Sequence, residues 1–143
     1  MKEAFCTVIG MFGSLLAYLL GGWNAPMKAL VVLMIIDYIS GLMVAGIFHK
    51  SKKSENGALN SNSGMKGLCK KCMIILMVIA IAQVSMAADI KYLRNTVVIG
   101  FATNEFISII ENGTLMGIPI LKPIRGAIDV LNERSNSNED KWK

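Results

Sequence analysis

The stretch Ala29–Phe48 reads ALVVLMIIDYISGLMVAGIF, and its reading decides the fold. At a rise of about 1.5 Å per residue it extends about 30 Å, the thickness of a bilayer's hydrocarbon core. One carboxylate, Asp37, stands near its middle. An acid at that depth costs about 2.5–3.5 kcal/mol on insertion scales, so it demands a partner, a proton or water. Gly41 and Ala45 follow on the same helical face as Asp37. An acid on a stripe of small residues predicts a helix that meets other helices.

The surrounding chain has the composition of a membrane protein. Of 143 residues, 53% are hydrophobic and only 17% charged, with a mean hydropathy of +0.49. Soluble domains carry about 25% charged residues. The apolar residues also come in uninterrupted runs instead of being spread at a period of 3.6 or 2. The net charge of +5 is concentrated in the segment between two apolar runs, where Lys50, Lys52, Lys53, Lys66, Lys70 and Lys71 face only Glu55. A basic loop so placed is an orientation signal and argues against a nucleic-acid partner.

Outward from the central stretch, Ala4–Trp23 is uncharged and long enough to span. Its apolar run exceeds that of a signal peptide and no A-x-A-like site follows, so it reads as a retained helix. Gly13, Ala17 and Gly21 form a small-xxx-small row that lets another backbone approach. Asn24, Ala25 and Pro26 predict a short turn into the second span, with Tyr18 and Trp23 as interfacial aromatics. The polar segment after Phe48 predicts a mobile loop, with the next helix beginning near Met65–Lys71 and Lys70 and Lys71 snorkelling to the interface. Cys72–Ala88 is a third span with one strongly polar residue, Gln83, suited to a hydrogen bond between helices.

Asp89, Lys91 and Arg94 predict a polar turn, and the segment 95–112 a fourth apolar helix. Glu105, Ser108 and Asn112 share one face of it, flanked by Asn104 and Glu111. Beyond Gly113, Pro123 suits a first helical turn. Ile124, Ala127, Ile128 and Leu131 then line the apolar side of a short surface-lying helix, opposite Arg125, Asp129 and Glu133, before a polar, disordered tail from Ser135. The expected architecture is an all-α membrane bundle of four transmembrane helices, three if the fourth segment does not cross. Residues 1–118 make the membrane domain, with spans at 4–23, 29–48, 72–88 and 95–112, and 119–143 an amphipathic interfacial helix and cytoplasmic tail. With the loop 49–71 cytoplasmic, four spans put both termini in the cytoplasm.

No catalytic constellation is visible. There is one histidine, His49, no glycine-rich phosphate loop, and three cysteines, Cys6, Cys69 and Cys72, too few ligands for a structural zinc site. Neither an enzyme, nor a metal, nor a cofactor is expected. The notable ionisable groups are Asp37 and Glu105, and no lysine or arginine falls inside the expected spans to pair with them. Each is therefore expected to be protonated, hydrogen-bonded to groups such as Asn104, Gln83 or a hydroxyl, or wetted in a cavity. Three roles stay open: a neutral acid that fixes helix register, a pair of acids lining a path that becomes wet on assembly, and a coupling site for protons or a drug.

Several stretches together resemble a phage holin family that includes the clostridial toxin-secretion holins. Asp37-Tyr38-Ile39-Ser40-Gly41-Leu42 is similar to its D-Y-[IL]-[ST]-G motif, and Ala45 continues the match. Ser63-Gly64-Met65-Lys66-Gly67-Leu68 with Lys70-Lys71 resembles the segment before its third span. Asn104-Glu105 and Ser108-Ile109-Ile110-Glu111-Asn112, then Gly117 and Pro119, resemble its E-x-x-S-I-x-E-N…G-x-P-x-P element. The chain departs from it at Leu121, where the family has a second proline, with Pro123 two residues on. The likeness runs from about Leu30 to Pro119, and the order and spacing of the motifs carry it. It implies a homo-oligomer that permeabilises the bacterial inner membrane so that an endolysin or a toxin can cross, giving lysis or release.

On that reading Gly13-Ala17-Gly21 and Asp37-Gly41-Ala45 serve as packing and oligomerisation faces. Asp37, Gln83, Asn104, Glu105 and Ser108 are the intramembrane polar groups, and the six loop lysines hold topology and attract anionic lipid. A small proton-coupled transporter and a non-transporting scaffold are the alternatives.

Overall fold

The computed structural model describes residues 1–139 apart from 54, 59, 120 and 121, and only the backbone of 122, 132 and 134–139. Those residues form five helices and no strand: α1 (Lys2–Leu19), α2 (Ala25–Gly46), α3 (Ser61–Ala87), α4 (Leu93–Leu115) and α5 (Lys122–Glu139). Local chemistry sets the starts. Asn24 caps α2 by accepting from the Met27 N–H at 3.2 Å, with Pro26 in the first turn where its missing N–H costs nothing. Asn60 caps α3 from the Asn62 N–H at 2.9 Å. The turn between α1 and α2 passes through Gly21 and Gly22, whose φ values of +74° and +102° suit glycine.

α2 and α4 are the principal packed pair. They run parallel, since Asn24 meets Asn95 at one end and Ser40 meets Asn112 toward the other. α3 lies antiparallel against them. Where the three helices meet, Met27, Leu30 and Met34 of α2 close on Val78 of α3 and Val98 of α4, capped by Leu20 from the preceding turn. α1 stands apart: none of its residues is buried, and its contacts are with α3, including a hydrogen bond from Gln83 Nε2 to the Leu19 carbonyl at 3.0 Å.

Three helices, α1, α2 and α3, are long and apolar enough to cross a membrane. Their outward faces show large apolar side chains in quantity, among them Phe5, Phe12, Ile35, Ile39, Leu76 and Met77. Apolar exposure of this extent belongs against lipid tails, because water would drive such a surface to associate.

Four expectations change in detail. α3 begins at Ser61, about a turn before the expected Met65, so the loop is shorter and Lys71 lies well inside a helix. Arg94, expected in a turn, is a buried residue of α4. α5 continues to Glu139 through the stretch expected to be a disordered tail. Its apolar side folds back, and Leu131 joins Ala25, Pro26, Ile99 and Phe106 around an apolar groove. Leu121, where the chain departs from the family motif, lies outside the described residues, as do residues 140–143 of the expected tail.

Candidate functional site: an ion cluster beneath a cavity

Asp37 on α2, Lys71 on α3 and Glu105 on α4 come together at one level of the bundle. Each lies about 15 Å along its helix from the end nearest the 47–60 loop, so antiparallel packing brings three distant positions into register. Lys71 Nζ donates to Asp37 Oδ2 at 2.8 Å and also to Glu105 Oε2. The side chains are 13%, 7% and 7% exposed for Lys71, Asp37 and Glu105, too little for water to do the solvating. The expectation that no cation reaches the two acids is therefore corrected. Lys71 was assigned to the interface because the apolar run starts after it, yet its long stem carries the ammonium inward between α2 and α4.

The unshared part of Asp37 is satisfied from α4. Asn112 Nδ2 donates to Asp37 Oδ1 at 3.2 Å and to Ser40 Oγ at 2.8 Å, and lies 3.4 Å from the Asp37 carbonyl oxygen. Ser40 Oγ donates in turn to that carbonyl at 3.0 Å. Asn112 is thus the amide that the acid needs. It belongs to the polar stripe with Glu105 and Ser108, and that shared face was the signal that marked it. Asn104 is exposed and Gln83 bonds Leu19, so neither serves the carboxylates as expected.

Above the cluster lies a cavity of about 540 Å³ between α2, α3 and α4, bordered by the loop. Asp37, Lys71, Glu105 and Ser108 are among its lining residues, as are Gly41 and Ala45. The Asp37-Gly41-Ala45 face is accordingly turned toward α4 and the cavity of its own protomer, with Gly41 near the Asn112 amide and Ala45 buried. Tyr38 faces α3, where a Cβ added at Gly64 would just meet its hydroxyl at 3.9 Å and one at Gly67 its ring at 4.0 Å. The two glycines at i and i+3 on α3 make the seat for that ring.

The loop lysines divide into two sets. Lys53, Lys66, Lys70 and Lys71 line the cavity, whereas Lys50 and Lys52 are exposed outside it. On α1, a Cβ added at Gly13 would meet nothing within 4 Å, whereas Ala17 is half-buried, so only the Gly13 position of that small-residue row lacks a neighbour within the protomer. Gly21 has a different role from the one expected: it lies past the helix, where a Cβ would come within 3.2 Å of Arg94 Cδ. Arg94 needs that approach to donate from Nη2 to the Gly22 carbonyl at 2.6 Å. No group of three or more metal-ligating side chains exists among the described residues.

The chain matches a bacteriophage holin family over residues 14–133. It is 31% identical over 131 residues to an uncharacterised protein of Listeria monocytogenes, covering 91% of this chain and 88% of that one. An uncharacterised Clostridium perfringens protein is 30% identical over 135 residues, 92% and 94% of the two chains. One from Halalkalibacterium halodurans is 33% identical over 123 residues, covering 80% and 84%. No solved structure matches. The matched range takes in the ion cluster, the cavity and the Arg94 turn.

Proposed function

The chain belongs to the bacteriophage holin family, and from that premise we propose that it associates with copies of itself in the bacterial cytoplasmic membrane and permeabilises it. A cell-wall hydrolase or a toxin then crosses, with lysis or protein release as the result. The family match over most of the chain is the observation that carries this reading. Three helices suited to spanning and a cavity with charged lining residues reaching well into the bundle support it.

In the topology we propose, α4 crosses with α2. The two run side by side in parallel from Asn24–Asn95 to Ser40–Asn112, so a bilayer crossed by α2 encloses α4 as well. Its polar stripe lowers its apolarity, but Glu105 and Asn112 on that stripe are already satisfied inside the bundle. Four spans with a basic cytoplasmic loop put both ends of the chain in the cytoplasm. The side of α1 around Gly13, where nothing in the protomer lies within 4 Å of an added Cβ, is then free to meet another copy within the lipid.

A small proton-coupled transporter has one observation in its favour, since two carboxylates lie at the floor of a cavity. That Lys71 holds both of them counts against it, because a coupling acid must be free to exchange its proton. Co-expression with an endolysin separates the readings. Abrupt lysis with entry of a membrane-impermeant dye is expected. Proton-dependent efflux without lysis would favour the transporter, and neither response would leave a scaffold. If the wetting of Asp37 controls opening, Asp37→Asn shifts lysis timing, and unchanged timing and permeability would remove that role.

A further inference from the structure

We propose that the cavity above the ion cluster is a binding site for a phosphate group, supplied by an anionic phospholipid headgroup or a soluble phosphate. The inference requires only that the chain lies in a bilayer, and it stands apart from membrane permeabilisation.

Charge distribution is the first argument. Four lysines and three carboxylates line the cavity, a net charge of +1. The deep part carries one excess negative charge, since Lys71 alone binds both Asp37 and Glu105. Lys53, Lys66 and Lys70 surround the mouth with Glu111 as the sole lining carboxylate there, which leaves it at +2. Among the described residues the ion pairs are the two made by Lys71, so these three ammonium groups have no carboxylate partner. Ammonium groups of this kind bind phosphate as point charges.

The loop that brings Lys53 to the cavity is a built structure. Ser63 Oγ on α3 donates to the Lys53 carbonyl at 2.8 Å, and the Lys53 N–H donates to Ser51 Oγ at 3.2 Å. The Ser51 N–H donates to the Gly57 carbonyl at 3.0 Å. Gly57 has φ +69°, and a Cβ there would collide with the His49 carbonyl oxygen, so glycine is required for this closure. Asn60 adds a neutral amide donor to the wall, while Leu42, Ile74 and Ile107 add apolar surface. Donors beside apolar surface, at the loop-side ends of the candidate spans, match an amphiphile whose phosphate sits at the headgroup layer.

The alternative is diffuse attraction, in which every near-surface lysine contributes equally, about fivefold in affinity each. The two lysine sets distinguish these cases. The full-length protein is extracted from vesicles of phosphatidylglycerol and phosphatidylcholine, and retained phosphatidylglycerol is counted by native mass spectrometry. The site predicts that K53Q/K66Q/K70Q lowers retention about 100-fold, whereas K50Q/K52Q lowers it less than about twofold. Gly57→Ala, which alters no charge, is expected to lower retention several-fold, with circular dichroism showing that the helices remain. Equal loss per lysine in the two sets would overturn the site. Retention that survives excess inorganic phosphate assigns the phosphate to lipid, and displacement assigns it to a soluble source. If neither phosphatidylglycerol nor inorganic phosphate binds the wild-type chain, the proposal fails.

Discussion

The bundle carries polar groups in two layers, one near mid-bundle beneath the cavity and one at the end where α4 begins, and they are built on opposite principles. Beneath the cavity, Lys71 is shared by two carboxylates from two other helices. At the opposite end, Arg94 has no carboxylate: it donates to the Gly22 carbonyl and, at 3.2 Å, to Asn95 Oδ1, which also accepts from Asn24. Its Nε is buried with no hydrogen-bond partner. Position accounts for the difference. About 15 Å into the bundle a charge must bring its own counter-charge, whereas at a helix turn backbone carbonyls suffice. The first layer joins three helices by charge, and the second clamps one hairpin turn onto the start of α4.

Substitutions can break this contrast, beginning with the charged layer. Lys71→Met leaves Asp37 and Glu105 facing each other without a cation and is expected to destabilise the bundle by about 3–5 kcal/mol, read from denaturant unfolding of helical signal in detergent. Adding Asp37→Asn and Glu105→Gln to that variant should recover most of the loss, because removing a buried ion group entirely is often close to neutral. A triple variant as unstable as the single one would show that packing of the Lys71 stem is what matters.

Asn112→Leu comes next. It strips a donor from Asp37 and Ser40, a loss of about 1–3 kcal/mol by the same measurement. At the opposite layer, Gly21→Ala should cost about 1–3 kcal/mol from left-handed backbone strain alone. Gly22→Ala is its control, since nothing lies within 4 Å of a Cβ there. A larger loss at Gly21 than at Gly22 measures the crowding of Arg94, and equal losses would mean the arginine adjusts freely. The smallest effect is expected at Gln83→Ala, about 0.6 kcal/mol for one hydrogen bond between helices. It should appear as faster hydrogen exchange at the end of α1 with α2–α4 unchanged.

Much of this was legible from residue order. Asp37, Gly41 and Ala45 do share a face, and Glu105, Ser108 and Asn112 do lie on one side of α4, because helical periodicity is a local property. The three helices suited to spanning were visible as apolar runs for the same reason. Lys71 was hidden by the rule that revealed the spans. A hydropathy run starts after the last lysine, while a helix starts where its cap and backbone hydrogen bonds allow, and α3 starts at Ser61. Gly21 was misread for a related reason: a glycine at helical spacing looks the same whether it lies in the helix or just past its end.

What the amino-acid sequence determined by itself is the helical membrane character, the two buried acids and the small residues beside them. All follow from the cost of placing charge or open backbone in hydrocarbon, a cost paid segment by segment. Only the tertiary structure decided which cation meets those acids, which glycine serves a turn, and which lysines surround the cavity. These are contacts between positions 34 to 75 residues apart. They depend on the depth at which antiparallel and parallel helices come into register, which no local pattern encodes.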